Sequence, residues 1–195
     1  HINIAEHPVQ DLLLMLSALL QKIVEANDLL HPDHYNSGAS SAALNHTSNF
    51  NSETNKYTAN VLAFHGRNIP AISLHAYLTR ILKYCPVTNE VFLSLLVYFD
   101  RIAKRANNGS QQQQLFVMDS YNIHRLIISG ITVASKFFSD VFYKNSRYAK
   151  VGGLPLEELN HLELQFLLLL DFKLMIQVEE MYRYGDLLMK FWKRE

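Results

Sequence analysis

The amino-acid sequence predicts an all-α fold, and three observations carry that expectation. Long stretches place apolar residues at three- and four-residue spacing. No segment shows the every-second-residue alternation of a half-buried strand. Hydrophobic residues make up 49% of the chain and charged ones 18%, which is the composition of a globular rather than a disordered protein.

The remaining bulk properties narrow the class. At 195 residues the chain suits one domain. Such a chain can bury about 70% of the surface it exposes when unfolded, so it needs no disulfide or metal to hold it. Lys plus Arg and Asp plus Glu both number 18. A net charge of zero offers no general attraction to nucleic acid or to an anionic membrane. Cys85 is the only cysteine, which excludes an internal disulfide and fits a reducing compartment, cytoplasm and/or nucleus. The chain starts at His1 without a charged, apolar leader and reads as an excised fragment rather than a secretory precursor. Its most apolar runs, Leu12 to Leu20 and Phe166 to Leu170, fall well short of the ~20 residues a membrane-spanning helix needs.

Taken in order, residues Pro8 to Leu30 predict the first helix. Pro8 suits its first turn and Asp11 complements its dipole. Leu12, Leu16, Leu19 and Ile23 form the expected apolar stripe, widened by Leu13 and Leu20. From His31 to about Lys56 the chain is rich in Asn, Ser, Thr, Gly and His. Such a run cannot bury enough apolar area to offset its ordering entropy, so residues 31–63 are expected to be a flexible polar insertion. Phe64 to Ser73 reads as an extended arm, because Ile69 precedes Pro70. A helix from Ser73 to Tyr84 follows, with Leu74, Tyr77, Leu78 and Ile81 inward. Pro86 separates it from a third helix, Asn89 to Arg105, which turns Val91, Leu95, Tyr98, Phe99 and Ile102 to the core.

Asn107 to Gln114 is a low-complexity loop. Asp119 or Ser120 should cap a long helix reaching about Asp140. Its small residues Ser129, Gly130 and Ala134 would admit a second helix at close range. Asn145 to Gly153 reads as a polar loop. Pro155, Glu157 and Glu158 then open a helix ending near Leu170. A final amphipathic helix, about Val178 to Trp192, offers Met181, Leu187, Leu188, Phe191 and Trp192, weakened by Gly185. The residues therefore predict six helices in one domain.

A search for chemistry excludes more than it finds. The chain contains no phosphate loop, no GxGxxG, no HExxH, no GxSxG and no CxxC. His31, His34 and His46 lack carboxylates or thiols at ligand spacing and read as loop histidines. Cys85 has no activating base and reads as a small buried hydrophobe. Glu157–Glu158 and Glu179–Glu180 are adjacent on helices and cannot converge on one reacting atom. The basic cluster Arg101, Lys104 and Arg105 reads as a solvated helix end rather than a phosphate site. No catalytic residue, cofactor or metal is expected, and the chain does not read as an enzyme.

Lys136 and Glu163 stand apart from the other charges. Glu163 shares a face with Leu159, Phe166 and Leu167, and Lys136 shares one with Thr132 and Val133. On spacing alone the plainer reading leads: Lys136 lays its stem along apolar surface, and Glu163 pairs with it or with another cation. The sharper reading is a surface that grips another protein.

Several segments resemble one family. Tyr98-Phe99-Asp100-Arg101 looks like the Tyr-Leu-Asp-Arg of the second cyclin-box helix, and Ala134-Ser135-Lys136 like the Ala-Ser-Lys of the third. The stretch from Leu162-Glu163 to Asp171-Phe172-Lys173-Leu174 looks like the fifth. ASKFFSD, YAKVGG, ELNHLELQFL and IPAISLHAYLTRI resemble the fungal PHO/PCL (P/U-type) cyclins in particular. The resemblance covers roughly Phe64 to Leu174. It implies a single cyclin box of five helices over residues 64–176, flanked by an N-terminal helix in 1–30 and a C-terminal helix in 177–195. It implies also a regulatory subunit that binds and activates a cyclin-dependent protein kinase and helps direct its substrates. Phosphate- or glycogen-linked nutrient control is the favoured branch.

The resemblance assigns roles to five partner-binding residues. Lys136 and Glu163 match the pair that grips the kinase near its αC helix, and Leu167 and Phe172 match apolar positions packing on that helix. Asp140 matches an aspartate that contacts a kinase arginine and helps order an unphosphorylated activation loop. The first box helix, Ser73 to Arg80, lacks the apolar docking pattern of cell-cycle cyclins, which argues against a groove for Arg-x-Leu substrates. Cyclin-like repeats also occur in general transcription factors. A transcription-factor-like module binding nucleic acid or other proteins is therefore the alternative, its nucleic-acid form disfavoured by the zero net charge and the lack of a basic stripe.

Overall fold

A computed structural model describes residues 3–30, 59–107 and 116–194. Most of the polar insertion and nearly all of the Asn107–Gln114 loop lie outside the described residues. Within them the chain is all-α: a short 3₁₀ turn, Ile4–Glu6, a helical turn over residues 59–62 and seven α-helices. The α-helices are α1 (Val9–Leu30), α2 (Leu74–Tyr84), α3 (Asn89–Asn107), α4 (Ile123–Phe138), α5 (Asn145–Gly152), α6 (Leu156–Leu169) and α7 (Val178–Arg194). The turn at 59–62 buries Val61, so that end of the expected 31–63 flexible insertion is ordered and packed on the core.

α4 is the hub. It packs against α3, α5 and α6, and every residue from Leu126 to Ser135 is buried. A helix apolar around its whole circumference belongs inside a bundle. Among its buried hydroxyls, Thr132 donates to the carbonyl of Ile128 at 2.8 Å. Phe166 of α6 sits at the centre of the core. Phe64, Tyr98 and Phe99 each approach it edge-on, at centroid distances of 6.2–6.3 Å. Outside this centre, α1 and α7 pack on each other and on α3.

Local signals explain most boundaries. Ser73 caps α2 by accepting from the Ala76 amide at 3.2 Å. The entry to α4 is more elaborate than a single cap. Asp119 accepts from the amides of Tyr121 and Asn122, while Asn122 accepts from Asp119 N and donates to Val117 O. That closed turn delays the α-helix to Ile123, and the helix ends at Phe138 rather than Asp140. Two side chains of α1 hold the same turn: Asn27 donates to Met118 O at 2.8 Å, and Asp28 accepts from Ser120 N at 3.1 Å.

Three expectations need correction. Asn145–Gly153 is not a loop: Asn145–Gly152 is the short helix α5, burying Tyr148, Ala149 and Val151. Gly153, with φ at 76°, is its left-handed cap, and Leu154 N closes the motif onto Ala149 O at 2.9 Å. With α5 included, α2 to α6 make a run of five helices. The buried stripe of α1 is rotated relative to the predicted one. Met15 and Val24 are buried, whereas Leu19 and Ile23 are only half-buried. On α7, Leu187 and Trp192 face outward, and Gly185 packs beside Ile4.

Candidate functional site

Gly130 sets the spacing from which the site follows. A Cβ there would lie 2.6 Å from Leu95 Cδ2 and 3.1 Å from Phe166 Cζ, so its bare backbone lets α3 and α6 close on α4. The last turn of α4 thereby comes alongside the middle of α6. Lys136 Nζ donates to both carboxylate oxygens of Glu163, at 3.0 and 2.8 Å. Asn145, the first residue of α5, donates to Glu163 Oε1 at 3.3 Å and to Asn160 Oδ1 at 2.8 Å. Glu163 is thus steadied by two neighbouring helices.

The pair stays reachable, with the Lys136 side chain 34% exposed and that of Glu163 18%. An ion pair so open to water contributes only about 0–1 kcal/mol to folding. A pair of this kind adds little to folding, and its remaining exposure leaves both charges within reach of a partner. Leu164, Leu167 and Leu168 follow Glu163 on one side of α6. Leu164 and Leu168 are exposed and Leu167 is half-buried, while Phe137, beside Lys136, is exposed as well. A charged pair bordered by uncovered apolar side chains is a surface suited to a protein partner.

Phe172 extends this apolar surface past the end of α6. Phe172 N donates to Leu167 O at 2.9 Å and Asp171 N to Leu168 O at 3.0 Å, the paired bonds of a Schellman cap. Asp171 and Phe172 both adopt left-handed dihedrals, with φ at 53° and 56°. Each costs about 1–2 kcal/mol for an L-residue. Phe172 is nonetheless 57% exposed. Its ring contributes little to the core that would offset the strain.

The offset comes from α3. Tyr98 donates to Leu174 O, Arg101 to Lys173 O and Met175 O, and Arg105 to Leu168 O and Leu169 O, all at 2.8–3.0 Å. Arg101 also pairs with Glu180 of α7 at 2.9 Å. Hydrogen bonds with a charged donor contribute about 1.5–3 kcal/mol each when sheltered, less where water reaches them. The basic cluster is therefore no solvated helix end, since two of its cations bind the backbone that leaves α6. Lys104 pairs instead with Asp100 of its own helix, at 2.9 Å. The signal that could have found this network is the spacing of Tyr98, Arg101 and Arg105 along one side of α3. Asn145 and Asn160 give no comparable signal, because the eight residues of α5 carry too little apolar periodicity to mark a helix.

Asp140 lies two residues beyond α4 and is exposed. It lines an open groove of about 550 Å³ together with Pro86, Val87, Thr88, Phe138, Ser139 and Val141. It shares the C-terminal end of α4 with Lys136 but is not part of the ion pair. The structure thus brings Lys136, Glu163 and Leu167 together, puts Phe172 at the next turn and sets Asp140 in a separate groove. Among the described residues no group of three or more His, Cys, Asp or Glu side chains is placed to hold a metal ion. Nor is any helix among them long and apolar enough to cross a membrane.

The chain is similar to known proteins. Residues 10–174 match the cyclin family model. The chain is 53% identical over 196 residues to PHO85 cyclin-7 of Saccharomyces cerevisiae, which covers 98% of the chain and 64% of that protein. It is 44% identical over 249 residues to PHO85 cyclin-6 of the same yeast, covering 98% of the chain and 58% of the relative. A third relative, the PHO85 cyclin-like protein psl1 of Schizosaccharomyces pombe, is 45% identical over 194 residues, covering 100% of the chain and 73% of psl1. The chain spans about three fifths of the length of the first two.

Proposed function

The chain belongs to the cyclin family, in its PHO85-type (P/U) branch, and from that premise we propose that it binds and activates a cyclin-dependent serine/threonine kinase through the face around Lys136 and Glu163. Cyclins are non-catalytic regulatory subunits, so the phosphoryl transfer belongs to the partner. One observation carries the reading: a steadied but water-accessible ion pair bordered by exposed apolar residues of α4 and α6. Lys136 and Glu163 supply directional contacts to the kinase αC helix, while Leu167 and Phe172 cover its apolar side. Docking turns that helix inward and completes the kinase's own Lys–Glu pair, which positions ATP. Asp140, exposed in its groove, offers a carboxylate to an arginine of the activation loop in place of a phosphate. The complex acts in the cytoplasm and/or nucleus on substrates of phosphate or glycogen control.

Lys136→Ala and Glu163→Ala, made separately, test the face. Each is expected to weaken calorimetric affinity for the kinase by about tenfold or more, as removal of a central interface contact does. The helical circular-dichroism signal should not change. Two variants that bind like the parent would move the interface elsewhere. The nutrient branch is tested by deleting the gene: unchanged glycogen content together with an unchanged phosphate-starvation response would sink it.

A further inference from the structure

The carbonyls that accept from Tyr98, Arg101 and Arg105 at 2.8–3.0 Å run from Leu168 to Met175. Inside that bracket stand the two left-handed residues, Asp171 and Phe172. The acceptors are carbonyls, so the three side chains fix the path of the chain and not the identity of its residues. A turn serving stability alone would place glycine at the left-handed positions and keep a phenyl ring out of water. Here an exposed Phe occupies one of them, and an observed backbone outlier of this kind points toward function.

We infer that Tyr98, Arg101 and Arg105 are positioning residues for partner recognition: they hold the strained turn after α6 so that Phe172 projects onto the partner. The inference rests on the kinase-binding reading and deepens it. None of the three needs to touch the kinase. Their effect on affinity passes through the position of one ring.

A double-mutant cycle on the full chain, with kinase affinity as its readout, separates this role from general stabilisation. Arg105→Ala and Phe172→Ala are each expected to weaken binding by about tenfold. The double variant should bind no more weakly than Phe172→Ala alone. Amide exchange at residues 171–173 should rise in Arg105→Ala without the kinase present, while exchange in α4 stays slow. Arg105→Lys should recover only part of the affinity, because both bonds come from Nη1 at the end of a side chain longer than lysine's, and an ammonium on the shorter stem cannot reach both carbonyls equally well. Losses that simply add, or Arg105→Ala binding like the parent, would overturn the positioning role while leaving the kinase reading intact. A parent chain that binds no cyclin-dependent kinase would overturn both, and the exchange data would then describe a structural staple.

Discussion

Two charged networks meet α6, one at Glu163 midway along it and the other at its C-terminal end. They use similar chemistry for opposite ends. Lys136 and Glu163 satisfy one another at the surface, and Asn145 merely steadies the carboxylate. Arg101 and Arg105 instead reach backbone carbonyls from a different helix and, through Glu180, bind α7 as well. The first network could be removed with little change in the fold. Removing the second would free a strained turn and loosen the joint between α3, α6 and α7. The lesson is that a cation's partner, more than its exposure, separates a recognition charge from a scaffold charge.

The widest gap between the two should appear on truncation. Arg101→Ala removes the donor shared by two carbonyls and a carboxylate, all partly open to water, and is expected to cost about 1–3 kcal/mol. For a chain of this size that lowers the melting temperature by about 2–12 °C, measurable by calorimetry. Lys136→Ala should stay within about 1 kcal/mol of the parent. Equal losses in the two variants would erase the distinction. A substitution in the opposite direction sharpens it. Asp171→Gly removes the left-handed penalty at the helix cap and should stabilise the chain by about 1 kcal/mol in urea titration. Its exposed contact with Lys173, at 3.6 Å, has little to lose.

This contrast also marks where the sequence could be read. The inward faces of α2 and α3 followed directly from spacing: Leu74, Tyr77, Leu78 and Ile81, then Val91, Leu95, Tyr98, Phe99 and Ile102, are all buried. Gly130, within a run of small residues, foretold the close packing on α4 that brings Lys136 to Glu163. The helix α5 was hidden because eight residues with three buried ones give too little periodicity to outweigh Asn, Ser and a Gly–Gly pair. The Arg101–Arg105 clamp is only half legible: its donors share one side of α3, but their targets do not show. Its acceptors are carbonyls some 63–74 positions away, and a carbonyl leaves no mark in a sequence. Phe172 was singled out by family resemblance, but its left-handed backbone could not be, since nothing about Asp-Phe announces that geometry.

A smaller effect tests whether α7 belongs to the scaffold network. The Tyr184 hydroxyl donates to Asp100, which Lys104 also engages. Burial, reinforced by the hydrogen bond and charge of Asp100, raises the Tyr184 pKa from 10.0 to about 12. The folded state therefore keeps a proton that the unfolded chain gives up first. Its contribution to stability is complete below about pH 10 and is lost as pH rises through about 12. Tyr184→Phe removes that proton and its linkage, so unfolding free energy should fall less steeply over this range than in the parent. The slope will not vanish, because burial also pushes up Tyr77 and Tyr98. Identical slopes in parent and variant would mean that Tyr184 does not hold Asp100 in solution, leaving Arg101–Glu180 as the ion pair between α3 and α7.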